Sequence, residues 1–192
     1  MATVPEVPEV PGAGGLRETR STARPTVVWI VTVLVGTAVL GLIGGLIWGE
    51  FAPRAVLAEV GKGAAEVTNV ETRAFFGADV WFCGIALIAG LLTGLLGYRF
   101  AVAPRDGAAR AAVAAALIIG AVAGGFVMLW LGEQIGLSAY NQHLASSASG
   151  TLFSASLALG SKSALAFWPL FTGVVLVVAE WGNRPVPERP PR

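Results

Sequence analysis

The sequence predicts an all-α membrane protein, a four-transmembrane-helix bundle with a small extracytoplasmic β element, on three observations. The first is composition. Of 192 residues 55% are hydrophobic and 13% charged, with a mean hydropathy of +0.70, against roughly 45–50% apolar and about 25% charged in a soluble domain. The second is a set of four apolar runs of about twenty residues whose centres hold no ionisable group, each long enough to cross a hydrocarbon core. The third is the placing of the six tryptophans. Trp48, Trp81, Trp130 and Trp168 fall at one end of each run, and Trp29 and Trp181 at the other level. Indole rings favour the membrane–water interface, so all six are expected to be interface anchors.

Residues 1–25 open with VPEVPEVPGAGG, too proline-rich and too polar to bury a core, and are expected to form a disordered cytoplasmic tail. The Pro5-x-x-Pro8 and Pro8-x-x-Pro11 spacings suit either a polyproline-binding groove or a plain linker. The membrane domain is expected over 26–182. Its first helix, about 27–48, spans roughly 33 Å at 1.5 Å per residue. Gly41, Gly45 and Gly49 recur every fourth residue, which places them on one helical face where another backbone can approach closely. This ridge serves either packing inside the chain or docking to another protein. It is the candidate helix-docking face, because the later helices carry ridges of their own that can satisfy each other.

An outer segment follows at 49–79. Two short valine-bearing stretches around Gly61-Lys62-Gly63 predict a hairpin. Gly-Lys-Gly lacks the spacing of a phosphate loop and the Ser or Thr after its lysine. Thr68-Asn69-Val70-Glu71 matches a capping box, which starts the second helix near residue 69 and lets it run to about 100. Its ridge is Ala86, Gly90 and Gly94. A tight loop over 99–110, with Pro104, Asp106 and Gly107, leads to a third helix at about 108–131. This helix carries the ridge Ala112, Ala116, Gly120 and Gly124. The second outer segment, 132–163, contains TLFSASLAL at 151–159, which puts Phe153, Ala155, Leu157 and Leu159 on one face and Ser154 and Ser156 on the other and so predicts a strand that can pair with the hairpin. The fourth helix covers about 163–181, with Pro169 near its start, where a lost hydrogen bond costs least. Residues 183–192 form a second proline-rich cytoplasmic tail.

Charge sets the expected orientation. Nine of the thirteen Lys and Arg residues lie in the two tails and the 99–110 loop. Short basic segments stay in the cytoplasm, so both termini are expected inside the plasma membrane and both long segments outside. A net charge of +1 does not supply the basic patch of a nucleic-acid protein. Cys83 is the only cysteine, which excludes an internal disulfide, and it reads as small apolar filler.

Chemistry is sparse. The polar residues inside the spans are Thr32, Thr37, Cys83 and Thr93, and the threonine hydroxyls can bond to their own helix. Glu180 beside Trp181 is expected to pair with Arg184. His143 is the only histidine and reads as a solvated loop residue, with no second histidine or cysteine at metal-ligand spacing. No Gly-x-Ser-x-Gly elbow surrounds any serine. The reading is therefore not an enzyme, with no catalytic, cofactor or metal residues.

Ala52-Pro53-Arg54, Ala78-Asp79-Val80-Trp81-Phe82 and Ala89-Gly90-Leu91-Leu92-Thr93-Gly94-Leu95-Leu96 resemble an actinobacterial family of four-helix membrane proteins of unassigned function. They are similar in particular to the lipid-uptake coordinator subunits that accompany mycobacterial mammalian-cell-entry (Mce) lipid importers. The resemblance covers residues 26–182. It implies a non-catalytic accessory subunit beside the permease helices of an ATP-driven importer of fatty or mycolic acids, with permease and ATPase subunits as partners. It brings no catalytic residues. The alternative from the residues alone is a stand-alone homo-oligomeric carrier or channel for a small neutral or lipidic molecule, which needs a pore or a lateral cleft.

Overall fold

A computed structural model describes residues 15–61, 64–67, 73–105, 107–146 and 152–183. In chain order these form α1 (Gly15–Phe51), β1 (Val56–Gly61), β2 (Ala64–Val67) and α2 (Arg73–Gly97), which continues through a π-helical turn at Tyr98–Val102. Then come α3 (Gly107–Gln134), α4 (Leu137–Ser146), β3 (Leu152–Ser154), a 3₁₀ turn at Lys162–Ala166, and α5 (Phe167–Gly182). Four helical stretches, Thr26–Phe51, Phe76–Val102, Gly107–Gln134 and Lys162–Gly182, are long and apolar enough to cross a membrane. The shortest has 21 residues, about 31 Å of helix. Their outward faces expose Val28, Leu46, Ile88, Leu95, Ile119, Phe126 and Val177, among others. That is more contiguous apolar surface than a soluble monomer presents. The fold is a four-helix bundle whose surface suits hydrocarbon, and it fits a multi-pass membrane protein.

The helices pack as two parallel pairs. α1 lies along α3, and α2 along α5, so each helix takes as its main partner the one two spans away. In the first pair the glycines set the distance. A Cβ on Gly41 would stand 2.5 Å from the carbonyl oxygen of Gly124, and one on Gly45 would stand 2.8 Å from that of Met128. One on Gly49 would enter the side chain of Ile135. The expected docking ridge Gly41-Gly45-Gly49 is therefore covered from within the chain, and no other helix can reach it. The expectation failed on pairing: α3 offers its Gly120-Gly124 ridge to α1 rather than to α2. The Ala86-Gly90-Gly94 ridge of α2 receives α5 instead, with Gly90 against the carbonyl of Trp168 and Gly94 against Val175.

Two of the six tryptophans are also reassigned. Trp48 and Trp168 are 0% exposed and belong to the core, not to the interface. Each buried indole N–H has a partner, as burial demands: Trp48 Nε1 donates to the Ala78 carbonyl at 2.8 Å and Trp168 Nε1 to Thr93 Oγ1 at 3.1 Å. The space comes from missing side chains. The Trp48 ring occupies the place of a Gly132 side chain, and the Trp168 ring lies against Gly124. Trp81, Trp130 and Trp181 are exposed, as anchors require, and Trp29 is half-buried.

At one end of the bundle, called here the sheet end, β1 pairs antiparallel with β2 and β3 in the order β2-β1-β3. The hairpin and its pairing with the later strand follow the sequence reading, but β3 stops at Ser154 instead of reaching 159. One further bond, Ala155 N–H to the Ala55 carbonyl at 2.7 Å, ends the ladder. Beyond it the partner chain bends at Ala52-Pro53-Arg54 into α1, and proline has no N–H to offer. The side chains still alternate: Ala155 and Leu157 are buried, and Leu157 joins the core of Trp48 and Phe82.

Other boundaries moved. α1 reaches back to Gly15 instead of starting at 27, running through Pro25. The capping box at 68–71, the remainder of the N-terminal tail and residues 184–192 lie outside the described residues. α4 was not expected, and it contains His143. Gly136, at φ +85°, separates it from α3 in a left-handed conformation natural to glycine. Pro169 is the third residue of α5, in the first turn after the 3₁₀ turn, where the sequence reading placed it.

Candidate functional site

Three clusters of polar or concave surface stand out, and each is positioned by the helix pairing.

At the sheet end, Arg54 reaches across two helix C-termini. Its guanidinium donates to the Gly49 carbonyl at 2.5 Å and to the Ile135 carbonyl at 3.3 Å. These groups terminate α1 and α3, where unsatisfied carbonyls and the helix dipoles favour a cation. On the other pair, the Asp79 carboxylate accepts the N–H groups of Gly160 (2.9 Å) and Ser161 (3.1 Å), just ahead of the 3₁₀ turn that opens α5. Both contacts staple loops to helices.

At the opposite end, called the turn end, Glu180 of α5 accepts from Arg110 of α3 at 2.9 Å and from the Tyr98 hydroxyl at 3.3 Å. Asn183 donates to the same hydroxyl at 2.7 Å. Arg110 also donates to the carbonyls of Ala103 and Arg105. The expected partner of Glu180 was Arg184, which lies outside the described residues; the described partner is Arg110, in the first turn of α3. Among the described residues no three His, Cys, Asp or Glu side chains gather where they could hold a metal ion.

The third feature is a lateral cleft of about 320 Å³ between α1 and α2. It exists because these sequence neighbours are only loosely packed, each having its main partner elsewhere. Trp29, Thr32, Gly36 and Leu40 line one wall at helical spacing, and Leu92, Leu96 and Phe100 line the other, with Leu117 of α3 as the floor. The wall hydroxyl of Thr32 bonds to the Val28 carbonyl, and Thr37 bonds to those of Val33 and Leu34. The cleft therefore shows an apolar lining to the bilayer. The π-helical turn at its end holds Arg99 and Phe100 outward while Tyr98, Ala101 and Val102 are buried. Such turns are frequent at functional sites.

The Arg105 guanidinium lies 4.8 Å over the Trp29 ring, and that of Arg99 lies 5.8 Å from Phe100. Both distances suit cation–π attraction. Sequence reasoning passed over this site. Gly36 and Thr32 were the available signal, being small or polar residues on a spanning face outside the glycine ridge. Compared with family models, curated proteins and solved structures, the chain matches none.

Proposed function

We propose that this protein is a non-catalytic accessory subunit of a larger membrane complex, and that the complex is a lipid importer of the Mce type with permease and ATPase subunits. In this reading the chain lies in the plasma membrane with both termini in the cytoplasm and the three-stranded sheet outside. The observation that carries it is the filled interior. Trp48, Phe82, Met128 and Trp168 occupy the core along the sheet half, and Val113 and Leu117 along the other half, all at 2% exposure or less. A stand-alone channel would need a passage where these side chains stand. The concave surface at membrane depth opens sideways instead, toward other molecules in the bilayer. No ionisable residue stands at the centre of any span, as proton- or ion-coupled transport would require. The lipid-importer assignment rests on the resemblance of the segments at 52–54, 78–82 and 89–96.

The glycine ridge of α1 is occupied, so the surface for a partner is one of the remaining lipid-facing walls or the sheet. The lateral cleft favours the second reading, a homo-oligomeric carrier of a lipidic molecule, more than the sequence alone did. Solubilisation in mild detergent from the native membrane separates the two. Co-purification of permease and ATPase subunits in fixed ratio supports the accessory role, and a single species of one or several copies of this chain refutes it.

A further inference from the structure

The cleft between α1 and α2 has dimensions and charges that fit one kind of ligand. From Trp29 to Leu40 it follows α1 for about 16 Å. That is half of a hydrocarbon core roughly 30 Å thick, the depth of a single leaflet. Its volume of about 320 Å³ lies at the small end of ligand sites. A helix about 10 Å across would fill on the order of 1,200 Å³ over the same length, so a partner's helix does not seat within it.

The charges lie at one end only. Both aromatic residues that line the turn end, Trp29 and Phe100, carry a guanidinium, Arg105 and Arg99 respectively. Arg105 also donates to the Ala101 carbonyl. Among the described residues neither cation has a carboxylate partner, whereas the neighbouring Arg110 is paired with Glu180. A guanidinium stacked by its face keeps N–H groups in its plane for a phosphate. Basic sites between membrane helices are a recurrent headgroup-binding arrangement.

We propose that the cleft holds one acyl chain of an anionic phospholipid from the leaflet at the turn end, with the phosphate bound by Arg99 and Arg105. The site is a property of this chain alone and rests on no partner complex, only on the bundle spanning a bilayer. Failure to find a permease would leave it intact.

The test uses the full-length protein in detergent, offered phosphatidylglycerol or phosphatidylcholine with the same acyl chains, and native mass spectrometry to count retained lipid. One equivalent of phosphatidylglycerol should be retained, roughly 25-fold more tightly than phosphatidylcholine, at about fivefold for each guanidinium. R99Q with R105Q should reduce that preference to within about twofold. Gly36→Phe places a ring in the cleft, because a Cβ at Gly36 meets nothing within 4 Å. It should lower retention of both lipids by tenfold or more without lowering the thermal midpoint. If the midpoint does fall, the arginine pair alone decides. Equal retention of the two phospholipids, or wild-type retention by Gly36→Phe, overturns the proposal. Loss of a dimer in Gly36→Phe would assign the cleft to a second copy, and displacement by equimolar oleate would assign it to a free fatty acid. Either result also overturns it.

Discussion

Gly36 and Gly41 lie five residues apart on one helix, and alanine at each should have opposite consequences. In both cases a Gly→Ala change gains helix propensity, worth up to about 1 kcal/mol. At Gly36 the new methyl group meets nothing within 4 Å, so that gain stands alone. At Gly41 the methyl would stand 2.5 Å from the Gly124 carbonyl oxygen, and α1 and α3 must part by about 0.9 Å to restore an ordinary 3.4 Å contact. Overpacking of this kind costs about 1–3 kcal/mol. Since propensity cancels between the two variants, their difference in stability is the overpacking cost itself. Unfolding in mixed micelles, followed by far-ultraviolet circular dichroism, measures it. Gly41→Ala should be less stable than Gly36→Ala by about 1–3 kcal/mol. A difference under about 0.5 kcal/mol would show that α1 and α3 are not held at backbone contact, and the helix pairing described above would have to be abandoned.

Three further outcomes are expected. In single-tryptophan variants reconstituted with brominated lipid, Trp130 (60% exposed) and Trp181 (73% exposed) should be quenched, while Trp48 and Trp168 should not; quenching of Trp168 would place α5 wrongly. Asp79→Ala removes the acceptor of the Gly160 and Ser161 N–H groups. It should cost about 1 kcal/mol, the scale of a lost helix cap, and speed amide exchange at 160–161 but not within α3. For orientation, Val56→Cys and Ala158→Cys should react with an impermeant reagent on intact cells and Ala108→Cys should not. Ala108 is the better probe than Gly107, whose φ of +53° disfavours a side chain. Reaction at residue 108 would reverse the proposed topology.

Much of the fold was legible because hydrocarbon imposes simple demands. A span needs about twenty residues free of charge, and four such stretches exist. The hairpin was legible because valine-bearing stretches flank Gly61-Lys62-Gly63, and the inward set Ala155 and Leu157 because alternation survives where hydrogen-bonded pairing ends. Helix pairing was not legible. The ridges on α1, α2 and α3 are made of the same small residues, and nothing in a single ridge names its partner. What decides is the direct complementarity of Gly41 with Gly124 and of Gly132 with the Trp48 ring, residues more than eighty positions apart. The burial of Trp48 and Trp168 follows from the same pairing and was hidden with it. α4 could have been found: Leu137, Tyr140 and Leu144 recur at helical spacing after Gly136, around a histidine read as a loop residue. The cleft was out of reach, since it is the gap left by two helices that prefer other neighbours.

The pairing of helices two spans apart imposes an order of events on synthesis. Gly41 meets Gly124, so the notch on α1 has no filler until α3 has left the ribosome some eighty residues later. At about 5–20 residues per second that interval lasts roughly 4–16 s. Through it α1 and α2 sit in the bilayer as loose neighbours, each with a glycine face open to lipid or to an insertase. The second pair closes only when α5 follows, again some eighty residues after the α2 glycines that receive it. A nascent chain halted after α2 would thus hold two inserted helices and neither lasting interface, and membrane quality control would meet it in that state.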